Sequence, residues 1–177
     1  STIPTGVIGI LFKDTVELAG TMLIVPGICL LITSVFLVIA DYADEGTKRP
    51  REASYVNAGL IGVAQGIATM PGLSRSGTTI TACLLCGFEK KFAVKYSFIM
   101  SIPAVLGAVV LELKDVAKAP LQASAVPACA VATVISAIVG YLSICIMMRL
   151  IQGKKYKIFA VYCAIVGLIT VGYGIFR

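Results

Sequence analysis

The chain has 177 residues, of which 58% are hydrophobic and only 14% are charged, and its mean hydropathy is +0.96. A chain this apolar is typical of an integral membrane protein and excludes an ordinary soluble domain. Apolar runs separated by polar loops favour membrane helices over a β-barrel, whose strands alternate apolar and polar residues. The net charge of +6 suits loops at an anionic membrane surface and does not require nucleic acid.

The N-terminal third of the chain contains one run that is long enough to cross a bilayer. Residues 1–12 are apolar but too short for a span, and the charged stretch 13–17 places the following turn at a membrane surface. The predicted span is Thr21–Ala40, with a kink expected at Pro26-Gly27. The polar stretch 41–55 then indicates a solvated loop.

Two shorter apolar runs follow, Asn57–Met70 and Ile80–Phe88, and neither reaches the roughly 20 residues that a spanning helix needs. Together they predict a re-entrant hairpin at 57–88. Its turn is expected in a polar pocket near the middle of the bilayer, because non-helical backbone is tolerated there only inside protein or beside water. Three further spans are predicted, at Phe92–Leu113, Ala125–Leu150 and Ile158–Phe176.

The turn between the two runs, PGLSRSGTT at 71–79, carries chemistry that is unusual in so apolar a chain. Pro71 ends the incoming helix, Gly72 lets the backbone turn, and the outgoing helix is expected to start near Ser76 with its free N–H groups facing an anion. Arg75 adds a planar cation that matches phosphate oxygens. Hydroxyl donors come from Ser74, Ser76, Thr78 and Thr79. The turn therefore predicts a phosphate site.

Two other interpretations compete with a phosphate site. Ser74 or Ser76 could serve only as a helix cap, and Arg75 could extend to water at the membrane surface. An arginine between two serines in a glycine-containing membrane turn favours function, since ionisable residues are costly there. The glycines have P-loop spacing, but Thr78 stands where that motif needs lysine and no β-strand precedes it, so nucleotide hydrolysis is not expected.

The six cysteines fall in apolar segments and are expected to be mostly small core residues. The pair Cys83-x-x-Cys86 could form half of a zinc site or a redox pair. The chain has no second such pair and no histidine, so no metal site is predicted within it.

The motif at 71–79 resembles P-G-x-S-R-S-G-x-T of the undecaprenyl-diphosphate phosphatases, the bacitracin-resistance protein family. The preceding Gln65-Gly66 and the later stretch 98–104 resemble the second half of that family, so the resemblance covers essentially the whole chain. It implies a membrane phosphatase that removes the terminal phosphate of undecaprenyl diphosphate. This reaction regenerates the lipid carrier for peptidoglycan synthesis at the bacterial plasma (inner) membrane.

Within that resemblance we predict that Arg75 clamps the diphosphate and stabilises the charge of the transition state, while hydroxyl groups orient the phosphate oxygens. The predicted catalytic residues are Arg75, Ser74, Ser76 and Thr79. The predicted substrate-binding residues are Gly72, Gly77, Thr78 and Gln65.

The resemblance also implies an all-α polytopic fold built from two inverted repeats, each with one hairpin. Residues 1–56 would end the first repeat and add a cytoplasmic loop, 57–88 would form the hairpin of the second, and 89–177 its three spans, all in one membrane domain. Basic residues beside the hairpin favour a cytoplasmic location for its ends.

The acidic E-G-x-T-E stretch of the family's first half is missing from this chain. The divalent cation (Mg²⁺ or Ca²⁺), its ligands and the attacking group are therefore expected in a preceding half of the same protein, and the chain alone is expected to be inactive. Homo-oligomerisation is left open. The alternative function is a transporter or flippase for a phosphorylated lipid or small anion, because broken helices in inverted repeats are also transporter architecture.

Overall fold

The computed structural model describes residues 1–43, 46–116, 126–152 and 156–176, and its regular elements there are helical. In chain order these are α1 (Thr2–Leu11), α2 (Lys13–Thr21), α3 (Ile24–Tyr42), a 3-10 turn (Pro50–Glu52), α4 (Tyr55–Ile67), α5 (Arg75–Leu85), α6 (Lys90–Val116), α7 (Val126–Gln152) and α8 (Tyr156–Ile175).

Four segments in the described ranges are long and apolar enough to cross a membrane: Ile24–Tyr42, Lys90–Val110, Pro127–Ile146 and Tyr156–Ile175. The predicted all-α polytopic membrane fold and its four spans are confirmed, with ends that differ by a few residues. The predicted start of one span, Ala125, and two loop residues, Asp44 and Glu45, lie outside the described residues. The inverted repeat and the re-entrant path of the hairpin stay predictions.

Two local predictions in the N-terminal third are wrong. The expected surface turn after residue 12 is the helix α2, which is stabilised by a Lys13–Glu17 ion pair of 3.8 Å and by Asp14 in its first turn. The expected kink at Pro26 is a helix boundary instead. Because α3 begins at Ile24, Pro26 lies in the first turn, where a missing N–H breaks no helical hydrogen bond.

Helix α8 packs along α3 through small residues. A Cβ on Gly167 would lie 3.0 Å from the carbonyl oxygen of Gly27, and the hydroxyl of Ser34 donates to the carbonyl of Ala160 at 2.8 Å. Close approach of this kind stabilises helix packing in a membrane, because the hydrophobic effect does not drive helices together when the surrounding lipid is itself apolar. The contacts at Gly167 and Ser34 therefore hold one side of α3 against α8.

Helices α4 and α5 form a hairpin that packs on α1, α3 and α6. Thr5 of α1 donates to the carbonyl of Gly62 in α4 at 2.9 Å, and Thr81 of α5 donates to the carbonyl of Phe36 in α3 at 3.0 Å. Ile61, Ile80 and Cys83 of the hairpin share one buried core cluster with Leu37 of α3 and with Phe88, which follows α5.

The cysteines divide between the core and the surface. Cys29 and Cys83 are buried, as predicted, whereas Cys129 is exposed on α7. Within the described ranges no three His, Cys, Asp or Glu side chains come together in a group that could hold a metal ion.

Candidate phosphate-binding site

The turn before α5 has the geometry of a helix entry. Gly72 has a positive φ of +89°, and the N–H of Leu73 donates to the carbonyl of Met70 at 3.1 Å. Ser74 is the N-cap of α5, and its hydroxyl oxygen accepts the N–H of Gly77 at 3.2 Å. The cap explains why the helix begins at Arg75, one residue before the predicted start near Ser76 and five before the apolar run at 80–88.

Two backbone N–H groups at this helix start remain available to a bound anion. The N–H of Gly77 is bound by the Ser74 hydroxyl, and the N–H of Thr78 is bound by the Ser74 carbonyl at 2.9 Å. Within the described chain the N–H groups of Arg75 and Ser76 have no acceptor. Together with the positive end of the helix dipole, they form a site that favours an anion.

Arg75 is partly buried, and its side chain forms no ion pair or hydrogen bond with any described residue. It lines a groove of about 660 Å³ whose walls come from α1, α2, α6 and the hairpin. Most of the wall is apolar or backbone, as at Gly6, Ile10, Leu106 and Val110. An unpaired guanidinium beside an apolar groove suits a molecule with an anionic head and an apolar chain.

The two serines of the motif keep donors that an anion could use. Ser76 is partly exposed, and its hydroxyl has no partner in the described part of the chain. Ser74 uses its oxygen to cap α5, so its own O–H hydrogen stays free. The cap and the ligand interpretations of Ser74 are therefore compatible. Neither serine lines the 660 Å³ groove, which Arg75 and Thr69 reach from the hairpin.

The two threonines of the motif are engaged inside the protein. Thr78 is 6% exposed and donates to the carbonyl of Ser74 at 2.8 Å. Thr79 is fully buried, donates to the carbonyl of Arg75 at 2.9 Å, and lies 2.5 Å from the hydroxyl oxygen of Ser97 in α6. This geometry favours a supporting role for both, and their direct contact with substrate stays a prediction.

Gly72 and Gly77 lie in tight contacts, whereas Gln65 is buried away from the groove. A Cβ on Gly72 would collide with the backbone carbonyl oxygen of Pro26, and one on Gly77 would lie 3.1 Å from the hydroxyl oxygen of the Ser74 side chain, so a larger residue at either position would require its neighbour to shift. Gln65 is fully buried in α4, does not line the groove, and neither of its amide atoms has a partner among the described residues. Its role in substrate binding stays a prediction.

Sequence reasoning missed two residues that support the site. Thr33 of α3 accepts the N–H of Ser74 at 2.9 Å, and Ser97 of α6 contacts Thr79. Both are polar residues within predicted apolar spans. That position is a weak signal, because Thr133 and Thr170 in other spans bond the backbone of their own helices.

The described residues do not fit a divalent cation. Glu17 is the one carboxylate among the groove-lining residues, and it pairs with Lys13 at 3.8 Å. A cation such as Mg²⁺ requires several oxygen ligands, usually with one or two carboxylates. The predicted cation therefore has no set of ligands in the part of the chain that the structure describes.

Residues 1–169 match the protein family described as "Bacitracin resistance protein BacA". Similar proteins named "Undecaprenyl-diphosphatase" occur in Methanosphaera stadtmanae (42% identical over 172 residues), Methanobrevibacter smithii (43% over 172) and Halothermothrix orenii (39% over 169). Each alignment covers 96% of this chain but only 60%, 61% and 65% of the respective relative, so the chain spans less than two thirds of their length. The match over nearly its whole length shows that the chain belongs to the BacA family of bacitracin resistance proteins.

Proposed function

We propose that this chain forms the phosphate-binding part of a membrane phosphatase that removes the terminal phosphate of a polyprenyl diphosphate. The observation that carries the proposal is Arg75, a cation without a partner among described residues, at the open N-terminus of α5 and on the wall of an apolar groove. The substrate has the matching chemistry, an anionic diphosphate attached to a long apolar chain. The name shared by the relatives favours hydrolysis over a transporter or flippase.

In the proposed mechanism the diphosphate binds at the start of α5. Two oxygens accept N–H bonds from the Arg75 guanidinium, and others accept the backbone N–H groups of Arg75 and Ser76. Hydrolysis breaks the bond between the terminal phosphorus and the bridging oxygen and adds the elements of water across it, which releases inorganic phosphate and leaves the polyprenyl phosphate. Negative charge grows on the bridging oxygen during this step, and the fixed positive charge of Arg75 stabilises it.

The hydroxyl groups of Ser74 and Ser76 add donors at the same helix start. Ser76 has no competing partner among the described residues, and Ser74 is held in place by its cap bond to Gly77. These short side chains orient phosphate oxygens without adding charge.

We propose that the divalent-cation ligands and the attacking group lie in a part of the protein beyond these 177 residues. This division is supported by the additional length of the relatives and by the absence of a suitable carboxylate cluster among the described residues. The chain would therefore have two partners, this further part of the same protein and the polyprenyl diphosphate substrate. We also propose that the α4–α5 hairpin re-enters the plasma membrane from the cytoplasmic side, which would place the anion site within the bilayer.

The proposal is tested by phosphate release from a polyprenyl diphosphate in the full-length protein. Arg75→Ala is expected to lower kcat by about 100-fold or more, the scale of losing one donor to developing charge. Arg75→Lys is expected to lower it by at least about 10-fold, because an ammonium cannot make the planar two-point contact.

Arg51→Ala is the matched control, since Arg51 is an exposed arginine in the 3-10 turn. It removes the same charge from the protein and is expected to leave kcat unchanged. Near-normal turnover in both Arg75 variants would exclude Arg75 from the site and refute the proposed function.

A further inference from the structure

Thr33 lies in the middle of α3 on the face that contacts the hairpin turn, and it is only 1% exposed. Its hydroxyl oxygen accepts the N–H of Ser74 at 2.9 Å, and its O–H donates to the carbonyl of Gly72 at 3.2 Å. One hydroxyl group therefore holds the backbone on both sides of Leu73. Helix α5 starts at Arg75, the residue that follows Ser74.

The same helix contacts the turn at two other points. The carbonyl of Pro26, about two helical turns before Thr33, packs directly against Gly72. One turn after Thr33, Leu37 packs against the start of α5, since a Cβ on Gly77 would lie 3.5 Å from its Cδ2. Helix α3 thus forms a continuous support beneath the turn and the first residues of α5.

The hydroxyl of Thr33 could have been satisfied within its own helix. Threonines in two other spans do this: Thr133 donates to the carbonyl of Cys129, and Thr170 to that of Val166, each at 2.8 Å. Thr33 instead makes both bonds to residues that are 39 and 41 positions away. A threonine that is merely tolerated in an apolar helix needs only the bond to its own helix.

We propose that Thr33 is a positioning residue for the phosphate site, which acts through Ser74 to hold Arg75 and the free N–H groups of α5 in register with the diphosphate. The inference rests on the proposed function. Thr33 does not line the groove and has no free hydroxyl hydrogen for a ligand. Thr33 is therefore expected to act by fixing the position of the Arg75 charge, and the rate of phosphoryl transfer depends steeply on that position.

The test compares Thr33→Val and Thr33→Ser in the full-length protein, with kcat and KM measured from phosphate release. Valine keeps the shape but removes both hydrogen bonds, and is expected to lower kcat by about 10-fold, which equals about 1.4 kcal/mol. KM is expected to change by less than about 3-fold, because contacts with the apolar chain persist. Serine keeps the hydroxyl and is expected to restore kcat to within about 3-fold of the unmodified protein.

Ser34→Ala is the matched control on the same helix. Its hydroxyl donates to the carbonyl of Ala160 in α8 rather than to the hairpin. The variant loses one interhelical hydrogen bond, so its thermal midpoint is expected to fall, but its kcat is expected to stay within about 2-fold of normal.

The outcomes separate this inference from the proposed function. If Arg75→Ala inactivates the protein but Thr33→Val leaves kcat normal, the role of Thr33 is overturned and the proposed function stands. An active Arg75→Ala protein would overturn the proposed function itself. A loss of kcat in Thr33→Ser or Ser34→Ala as large as in Thr33→Val would show a general loss of packing by α3, and would also overturn the positioning role.

Discussion

Replacement of Gly72 by alanine tests how the hairpin turn is held against α3. Gly72 has φ +89°, and this left-handed conformation alone costs an L-residue roughly 1–2 kcal/mol. An added Cβ would also collide with the carbonyl oxygen of Pro26 and would lie 2.8 Å from its Cα. Because these neighbours are backbone atoms, the strain can be relieved only if the turn moves away from α3.

Two other glycines separate the conformational cost from the collision. Gly87 has a similar φ of +84°, but the nearest atom to its added Cβ is in the flexible side chain of Lys48, at 3.6 Å. Gly59 in α4 has nothing within 4 Å, so alanine there is expected to be neutral or to stabilise the helix by up to about 1 kcal/mol. Overpacking typically adds about 1–3 kcal/mol. The expected destabilisation is therefore about 2–5 kcal/mol at Gly72 and about 1–2 kcal/mol at Gly87.

The free energies of unfolding are measured by denaturant titration of the full-length protein in detergent micelles, followed by helical circular dichroism. Phosphate release is measured on the same samples. It is expected to fall for Gly72→Ala, because the shift separates Ser74 from Thr33. Equal unfolding free energies for Gly72→Ala and Gly87→Ala would refute the contact between the turn and Pro26, and with it the support of the site by α3.

Two further variants examine the helix start and its contact with α6. Ser74→Ala removes the N-cap bond and is expected to cost about 1 kcal/mol of unfolding free energy, whereas Ser74→Asp keeps a cap but places a negative charge beside Arg75. Full stability with at least about 10-fold lower phosphate release is expected for Ser74→Asp, and unchanged release would argue against an anion at this position. Ser97→Ala removes the bond to Thr79 and is expected to cost about 0.5–1.5 kcal/mol in the same titration, whereas Thr133→Val, an exposed control, should cost less.

The spans and the phosphate motif could be predicted because both depend on short stretches of sequence. A run of some 20 apolar residues indicates a membrane helix wherever it occurs, and the four predicted spans are present in the structure. The start of α5 follows from Ser74, a good N-cap residue directly before Arg75. Local signals are weak at α2, because its polar residues predict a turn whereas the ion pair between Lys13 and Glu17, four residues apart, favours a helix.

The division of roles among the motif's hydroxyl groups could not be predicted. Ser76 and Thr79 are three residues apart and the motif predicts both in the site, but only Ser76 of these two keeps a hydroxyl without a partner among the described residues. Thr79 points into the contact with Ser97. Which side of α5 faces α6 depends on the packing of the hairpin, about which the motif carries no information.

The sequence by itself therefore determined the membrane class, the family motif and the arginine at a helix start, because hydropathy, capping and charge act over a few neighbouring residues. Only the tertiary structure decided that α3 supports the turn, that Thr33 binds Gly72 and Ser74, and that Arg75 lies beside an apolar groove. The physical reason is that a hydroxyl inside an apolar helix can bond its own backbone or a neighbouring segment. The choice is made by which helices pack together, through contacts some forty residues apart in the chain.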